Sequence, residues 1–148
     1  MTSALARRLL AALVLLPLSG CGGDATDDYC AAVEEHQAEL TEIVAAGGPT
    51  ALLRALEEFR DLQDRAPSDI ADEWQQVVGR LSDLDDELVA AGIAPETYDR
   101  DAPPEGLDAG ERARIEAAAK ALVSPETAGA LEGLQQQARD VCQTPLTR

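Results

Sequence analysis

The sequence predicts an all-α fold, an antiparallel, four-helix-like bundle whose last helix is broken at Ser124-Pro125. Apolar residues recur at steps of three and four in five successive segments, the spacing of one helical face, and no segment sustains the alternation of a strand. Glycine and proline stops separate those segments: Gly47-Gly48-Pro49, Ala66-Pro67, Gly92 and Ser124-Pro125. A third observation, the placement of three cysteines, joins the two ends of the bundle and depends on the N-terminal segment discussed below.

The first helix is expected over Asp27–Ala46, capped by Thr26 or Asp27, with acids in its N-terminal half favoured by the helix dipole. Its inner stripe is Tyr29/Cys30, Val33, His36/Gln37, Leu40 and Ile43/Val44. The second starts with Thr50 as cap and buries Leu52, Leu53, Leu56, Phe59 and Leu62; Ala66-Pro67 stops it, because the residue before proline is driven out of helical geometry. The third is the strongest signal. After a cap at Ser68 or Asp69, Ile70, Trp74, Val77, Leu81, Leu84, Leu88 and Ala91 hold an alternating four-three spacing, the seam of a central bundle helix. Gly79 inside it predicts a closely packed neighbour, and Gly92 ends it.

Residues 93–108 form a long connection with Pro95, Pro103, Pro104 and Gly106, pinned to the body by Tyr98 and Leu107. Asp108 with Glu111 three residues on is a capping box opening the fourth helix, which buries Ile115, Ala118, Ala119 and Leu122. Ser124-Pro125 reads as a cap followed by proline at the first helical position. The fifth segment buries Leu131, Leu134, Ala138, Val141 and Cys142.

The N-terminus has a different character. Arg7 and Arg8 precede the apolar run Leu9 to Leu16, then Leu18-Ser19-Gly20-Cys21. A basic start, a short apolar core and small residues form an export signal, too short for a membrane span of roughly 20 residues. The cysteine directly after the small residues resembles the lipobox of bacterial lipoproteins. That resemblance implies a lipid on Cys21, cleavage before it, and a location on the outer face of the cytoplasmic membrane. The organisation expected is a signal over 1–20, a flexible tether over 21–28 and one helical domain over 29–148. With Cys21 used by the lipid, Cys30 and Cys142 remain as one pair, which outside the cytoplasm reads as a disulfide. Their Cα atoms must then approach within about 7 Å, so the first helix must start where the last one ends. An up-down-up-down bundle meets this if the fourth and fifth segments form one rod kinked at Ser124-Pro125, the arrangement favoured here. The alternative is a connection that crosses the bundle's length and a terminal hairpin.

Losing residues 1–20 removes Arg7 and Arg8 and no acid, leaving 10 Lys+Arg against 28 Asp+Glu, a net charge of −18. Such a body repels phosphate backbones, so nucleic acid is excluded as a partner, and anionic lipid head groups repel it too. His36, the chain's one histidine, lacks the second histidine of a di-iron bundle and reads as a half-buried residue beside the inner stripe. Asp83, Asp85, Asp86 and Glu87 fan around a helix as a solvated face. Asp99, Asp101, Glu105 and Asp108 lie in the long connection, where Pro103 and Pro104 break any EF-hand spacing. Ser68, Ser82 and Ser124 read as caps or surface residues, with no nucleophile elbow or phosphate cradle around them. Trp74 belongs to the core seam. No catalytic, metal or cofactor residue is expected.

Asp28-Tyr29-Cys30, Ala66-Pro67-Ser68-Asp69-Ile70 with Glu73-Trp74, and Arg139-Asp140-Val141-Cys142 with Thr144-Pro145-Leu146 resemble a group of small secreted or lipid-anchored helical proteins of high-GC actinobacteria. That group carries no activity to transfer. The expectation is a non-enzymatic binding or interaction module of the cell envelope, with an envelope or extracellular protein as partner. The second reading is a receptor for a small ligand or a cation such as Ca²⁺, held between the third helix and the proline-rich connection.

Overall fold

The computed structural model describes residues 23–48 and 50–148, and among them it is helical with no strand. The helices are α1 (Gly23–Ala46), α2 (Ala51–Arg54), α3 (Leu56–Arg65), α4 (Ala71–Ala90), α5 (Ala109–Leu122) and α6 (Pro125–Val141), with a 3₁₀ turn at Pro95–Thr97. α4 is the axis. Trp74, Val77, Val78, Leu81, Leu84 and Leu88 are all buried along it, packed by α3 on one side and α5 and α6 on the other. Tyr29, Val33 and Leu40 of α1 and Leu56, Phe59 and Leu62 of α3 complete the core. Trp74 stands at its centre, edge-on to Tyr29 and Phe59 with ring centroids 6.4 and 5.5 Å away, and its indole N–H donates to the Tyr29 hydroxyl at 3.2 Å.

The last helix is the expected kinked rod. Arg114 of α5 pairs with Glu87 at 3.0 Å. Gln76 donates to Thr127 of α6 at 3.1 Å, and Gly133 lies against Glu73. As the chain advances from 114 to 133 its partners on α4 step back from 87 to 73, so α5 and α6 run the same way along one antiparallel neighbour. At the break, Ser124 caps α6 by accepting from the Thr127 N–H, Pro125 takes the first helical position, and the Thr127 hydroxyl donates to the Ala121 carbonyl at 3.1 Å. The ends therefore meet, and a disulfide joins Cys30 to Cys142 with Cα atoms 5.1 Å apart.

Several local expectations are corrected. α1 begins at Gly23 instead of Asp27, so residues 23–28, expected as tether, are helical and neither Thr26 nor Asp27 is a cap. The second helix is interrupted at Ala55, whose N–H is shared between the Ala51 and Leu52 carbonyls at 3.2 Å each. Ala55 is itself buried, and the tightened turn lets Leu53, Leu56 and Phe59 all face inward. Thr50 does not cap α2; its buried hydroxyl donates to the Glu96 carbonyl at 3.3 Å and ties down the 3₁₀ turn. α4 starts after Ile70, and Ser68 and Asp69 are exposed without capping it. A turn leads into the helix instead, the Ile70 N–H bonding the Pro67 carbonyl at 3.2 Å while its side chain is buried. Gly79 is exposed with open space around it, so no close neighbour explains it, and Val141 faces solvent. The end of α4 follows expectation: Gly92 sits at φ +72°, its N–H bonds Val89, and Ile93 bonds back to Leu88 while burying its side chain.

Candidate functional site

The bundle has two distinct poles. At the first, α1 starts, α3 ends, α4 starts and α6 closes through Cys142. Beyond the disulfide the chain doubles back along α1. Gln37 donates to the Pro145 carbonyl at 2.6 Å, Leu146 is buried, and the Arg148 N–H reaches the Thr41 hydroxyl at 3.1 Å. Tyr29, one residue before Cys30, is sealed from solvent, and burial pushes its phenol up to about 12 against the opposing hydrogen bond from Trp74. These contacts make the first pole a rigid plug. Cys21 lies outside the described residues, and the chain is already helical at Gly23.

The opposite pole is built differently. Here α1 ends at Gly47 and Gly48, both in left-handed geometry, and Arg54 donates to the Gly47 carbonyl at 2.8 Å. The connection 93–108 wraps this pole and is fixed at three points. Ile93 and Tyr98 are buried, and Leu107 packs on the core. The capping box then starts α5: the Glu111 N–H donates to Asp108 at 2.7 Å and the Asp108 N–H to Glu111 at 2.9 Å. The bond from the Glu111 N–H holds the Asp108 carboxyl below its usual range.

Between this connection and the first turns of α5 lies a cavity of about 220 Å³. Tyr98, Pro103, Leu107 and Ile115 give it apolar walls, and Arg100, Arg112 and Glu116 give it charge. Among the described residues neither Arg100 nor Arg112 has a carboxylate within 4 Å, whereas Arg60, Arg65, Arg80 and Arg114 each do. The contact of Arg112 with the Leu107 carbonyl, at 3.5 Å, is long for a hydrogen bond. Arg54, Lys120, Arg139 and Arg148 also lack a carboxylate within 4 Å among the described residues; Arg100 and Arg112 are distinguished by lining the same cavity. Tyr98, buried beside them, has its hydroxyl pKa raised by desolvation.

The residues weighed from sequence fall elsewhere. His36 is half-buried and its Nε2 lies 2.7 Å from Asp61 of α3, a partner 25 positions away and not the neighbouring Glu35 or Glu39. That hydrogen bond, more than the adjacent Arg65, holds the Asp61 carboxyl low. Asp83 pairs with Arg80 at 3.1 Å, and Asp99 accepts from the Asp101 N–H at 2.8 Å. Among the described residues no three His, Cys, Asp or Glu side chains are grouped as metal ligands. This cavity is walled by α5 and the connection; a separate open hollow, lined by Asp85 and Val89 of α4 with Pro95 and Glu96, lies between α4 and the connection, where the receptor reading sets its ligand. Sequence reasoning misses both arginines: Arg100 lies between Asp99 and Asp101, and Arg112 follows Glu111, so nothing in the sequence marks them as unpaired.

Compared with known proteins, the chain matches no family model, no curated protein and no solved structure. No described helix is long and apolar enough to cross a membrane.

Proposed function

We propose that this chain is a lipid-anchored, non-enzymatic binding module held at the outer face of the cytoplasmic membrane, presenting a rigid helical body to a component of the cell envelope. One observation carries the reading: of three cysteines, two are bonded to each other, and the third, Cys21, follows the apolar run and small residues of an export signal. The same reading keeps the resemblance to small secreted or lipid-anchored actinobacterial proteins. Two features support it further. Gly23, two positions after Cys21, is already helical, so a lipid on Cys21 sets the disulfide pole against the bilayer with almost no slack. At about 1.5 Å per residue, the 24 residues of α1 then carry the opposite pole about 36 Å outward. For chemistry, His36 spends its Nε2 on Asp61, and among the described residues no hydroxyl or thiol is hydrogen-bonded to it.

The test has two arms. Cys21→Ala should release the protein from the membrane fraction or block its processing, and unchanged retention would contradict lipidation. Cross-linking in intact cells followed by pull-down of the Cys21 form should recover an envelope component. Recovery of the protein alone at normal expression would count against the binding role.

A further inference from the structure

The cavity at the far pole combines two buried apolar side chains, Tyr98 and Ile115, with two guanidinium groups that no carboxylate pairs and one carboxylate. We propose that it binds a small monocarboxylate with an apolar body, the acid group held by Arg100 and Arg112 and the body set against Tyr98, Leu107 and Ile115. This deepens the reading as a binding module and needs nothing from the anchor, since the lining belongs wholly to residues 98–116.

Charge points to the ligand class. Of the lining side chains, Arg100 and Arg112 outnumber Glu116 by one charge. Asp99 also lies close to Tyr98, so it is the two guanidinium donors, which a carboxylate can use and a cation cannot, that select an acid. Arginine's planar fork suits a carboxylate, and an apolar wall strengthens the interaction by excluding water. The N-terminus of α5 does not supply the anion site, because the Asp108 carboxylate already occupies it. Size limits the ligand as well. About 220 Å³ holds about seven waters at ~30 Å³ each, which fits a small aromatic or branched aliphatic acid and excludes a nucleotide or a peptide. The walls are fixed before binding: Tyr98 and Ile115 are buried, and Thr50 anchors the adjacent turn. The site is thus largely formed in advance, as small-molecule sites are.

The test is calorimetric titration of the full-length protein in mild detergent with benzoate and 4-methylpentanoate, with benzylamine and benzyl alcohol as cationic and neutral counterparts. For ligands this small, a Kd on the order of 1 mM is expected for the acids. Combined Arg100→Gln and Arg112→Gln should weaken binding tenfold or more, while Glu116→Gln should strengthen it severalfold. All three side chains are exposed, so the variants should keep the wild-type circular dichroism and melting temperature. Amide shifts on binding should centre on Tyr98, Leu107 and Ile115. Equal binding of benzyl alcohol, tighter binding of benzylamine, undiminished binding by the double variant, or no heat with either acid would each overturn the proposal. Weaker binding by Glu116→Gln would show that Glu116 holds the ligand, which also contradicts a monocarboxylate. Failure here leaves the membrane-fraction and pull-down tests untouched, so the two readings fall separately.

Discussion

Removing the disulfide is the most informative perturbation of this fold, because its effect follows from chain connectivity. The bond joins residues 112 apart in sequence. In the chain-entropy description, closing a loop of that length removes about 16 cal/mol/K from the unfolded ensemble, or about 5 kcal/mol at 25 °C. Other contacts should hold the folded state unchanged in Cys30→Ala combined with Cys142→Ala. Leu146 stays buried, Gln37 still holds the Pro145 carbonyl, and Arg148 still reaches Thr41. Both cysteines are only half-buried, so alanine at these positions sacrifices little packing. Domains of this size are stable by about 5–15 kcal/mol, so the loss is between a third and nearly all of the total. At about 3–5 °C per kcal/mol, the melting temperature should drop by about 15–25 °C. Urea denaturation followed by far-ultraviolet circular dichroism checks this. The midpoint should fall sharply, the native spectrum should stay the same, and the m-value should rise because the unfolded chain is freed to expand. A midpoint and slope indistinguishable from wild type would refute the argument.

Other perturbations test the core, the kink and the stops. Trp74→Phe removes the donor to the Tyr29 hydroxyl in a sealed site and should cost about 1–3 kcal/mol by urea denaturation, with Trp74→Ala costing about 3–5. Because the Tyr29 phenol titrates near 12 when folded and near 10 when free, the folded state holds its proton more tightly between those values. Its stabilising contribution is therefore complete below pH 10 and is lost as pH rises toward 12, by about 2–3 kcal/mol, which melting curves over that range should display. The Asp61 carboxyl has the opposite sign. Held low by His36, it contributes above its unfolded pKa near 3.9 and is lost on acidification, so Asp61→Asn should flatten the acid limb of the stability profile. Ser124→Ala should cost about 1 kcal/mol and fray α6 at the kink, seen as faster amide exchange at Thr127. Gly92→Ala, at φ +72° with open space around it, should cost about 1–2 kcal/mol from backbone strain alone.

The parts of the fold readable in the sequence were those set by repetition or local chemistry. The seam from Ile70 to Leu88 repeats often enough to fix α4 as the axis, and Asp108, Ser124 and Gly92 act within four residues of themselves. Cys30 and Cys142 added the long-range constraint, and with Ser124-Pro125 this made the kinked rod the simpler solution. What could not be read depended on neighbours distant in sequence. Thr50 reads as a helix cap but its hydroxyl is tied to the Glu96 carbonyl 46 positions on, and α4 starts only after a turn closed by the Ile70 N–H on the Pro67 carbonyl. Ala55 breaks a segment of unbroken helical periodicity so that three large side chains can share one face. His36 reads as half-buried from the sequence and is so, but its partner Asp61 lies on α3, beyond the reach of local pattern. The cavity was the least visible feature, since Arg100 and Arg112 become a pair only when the proline-rich connection folds back over α5.

The measurement closest to the central claim is the intact mass of the protein extracted from membranes, taken before and after reduction. The account predicts a chain beginning at Cys21 and carrying a diacylglycerol adduct, whose mass increases by two hydrogens on reduction as the Cys30–Cys142 bond opens. A chain without the adduct, or one whose mass reduction leaves unchanged, would contradict it.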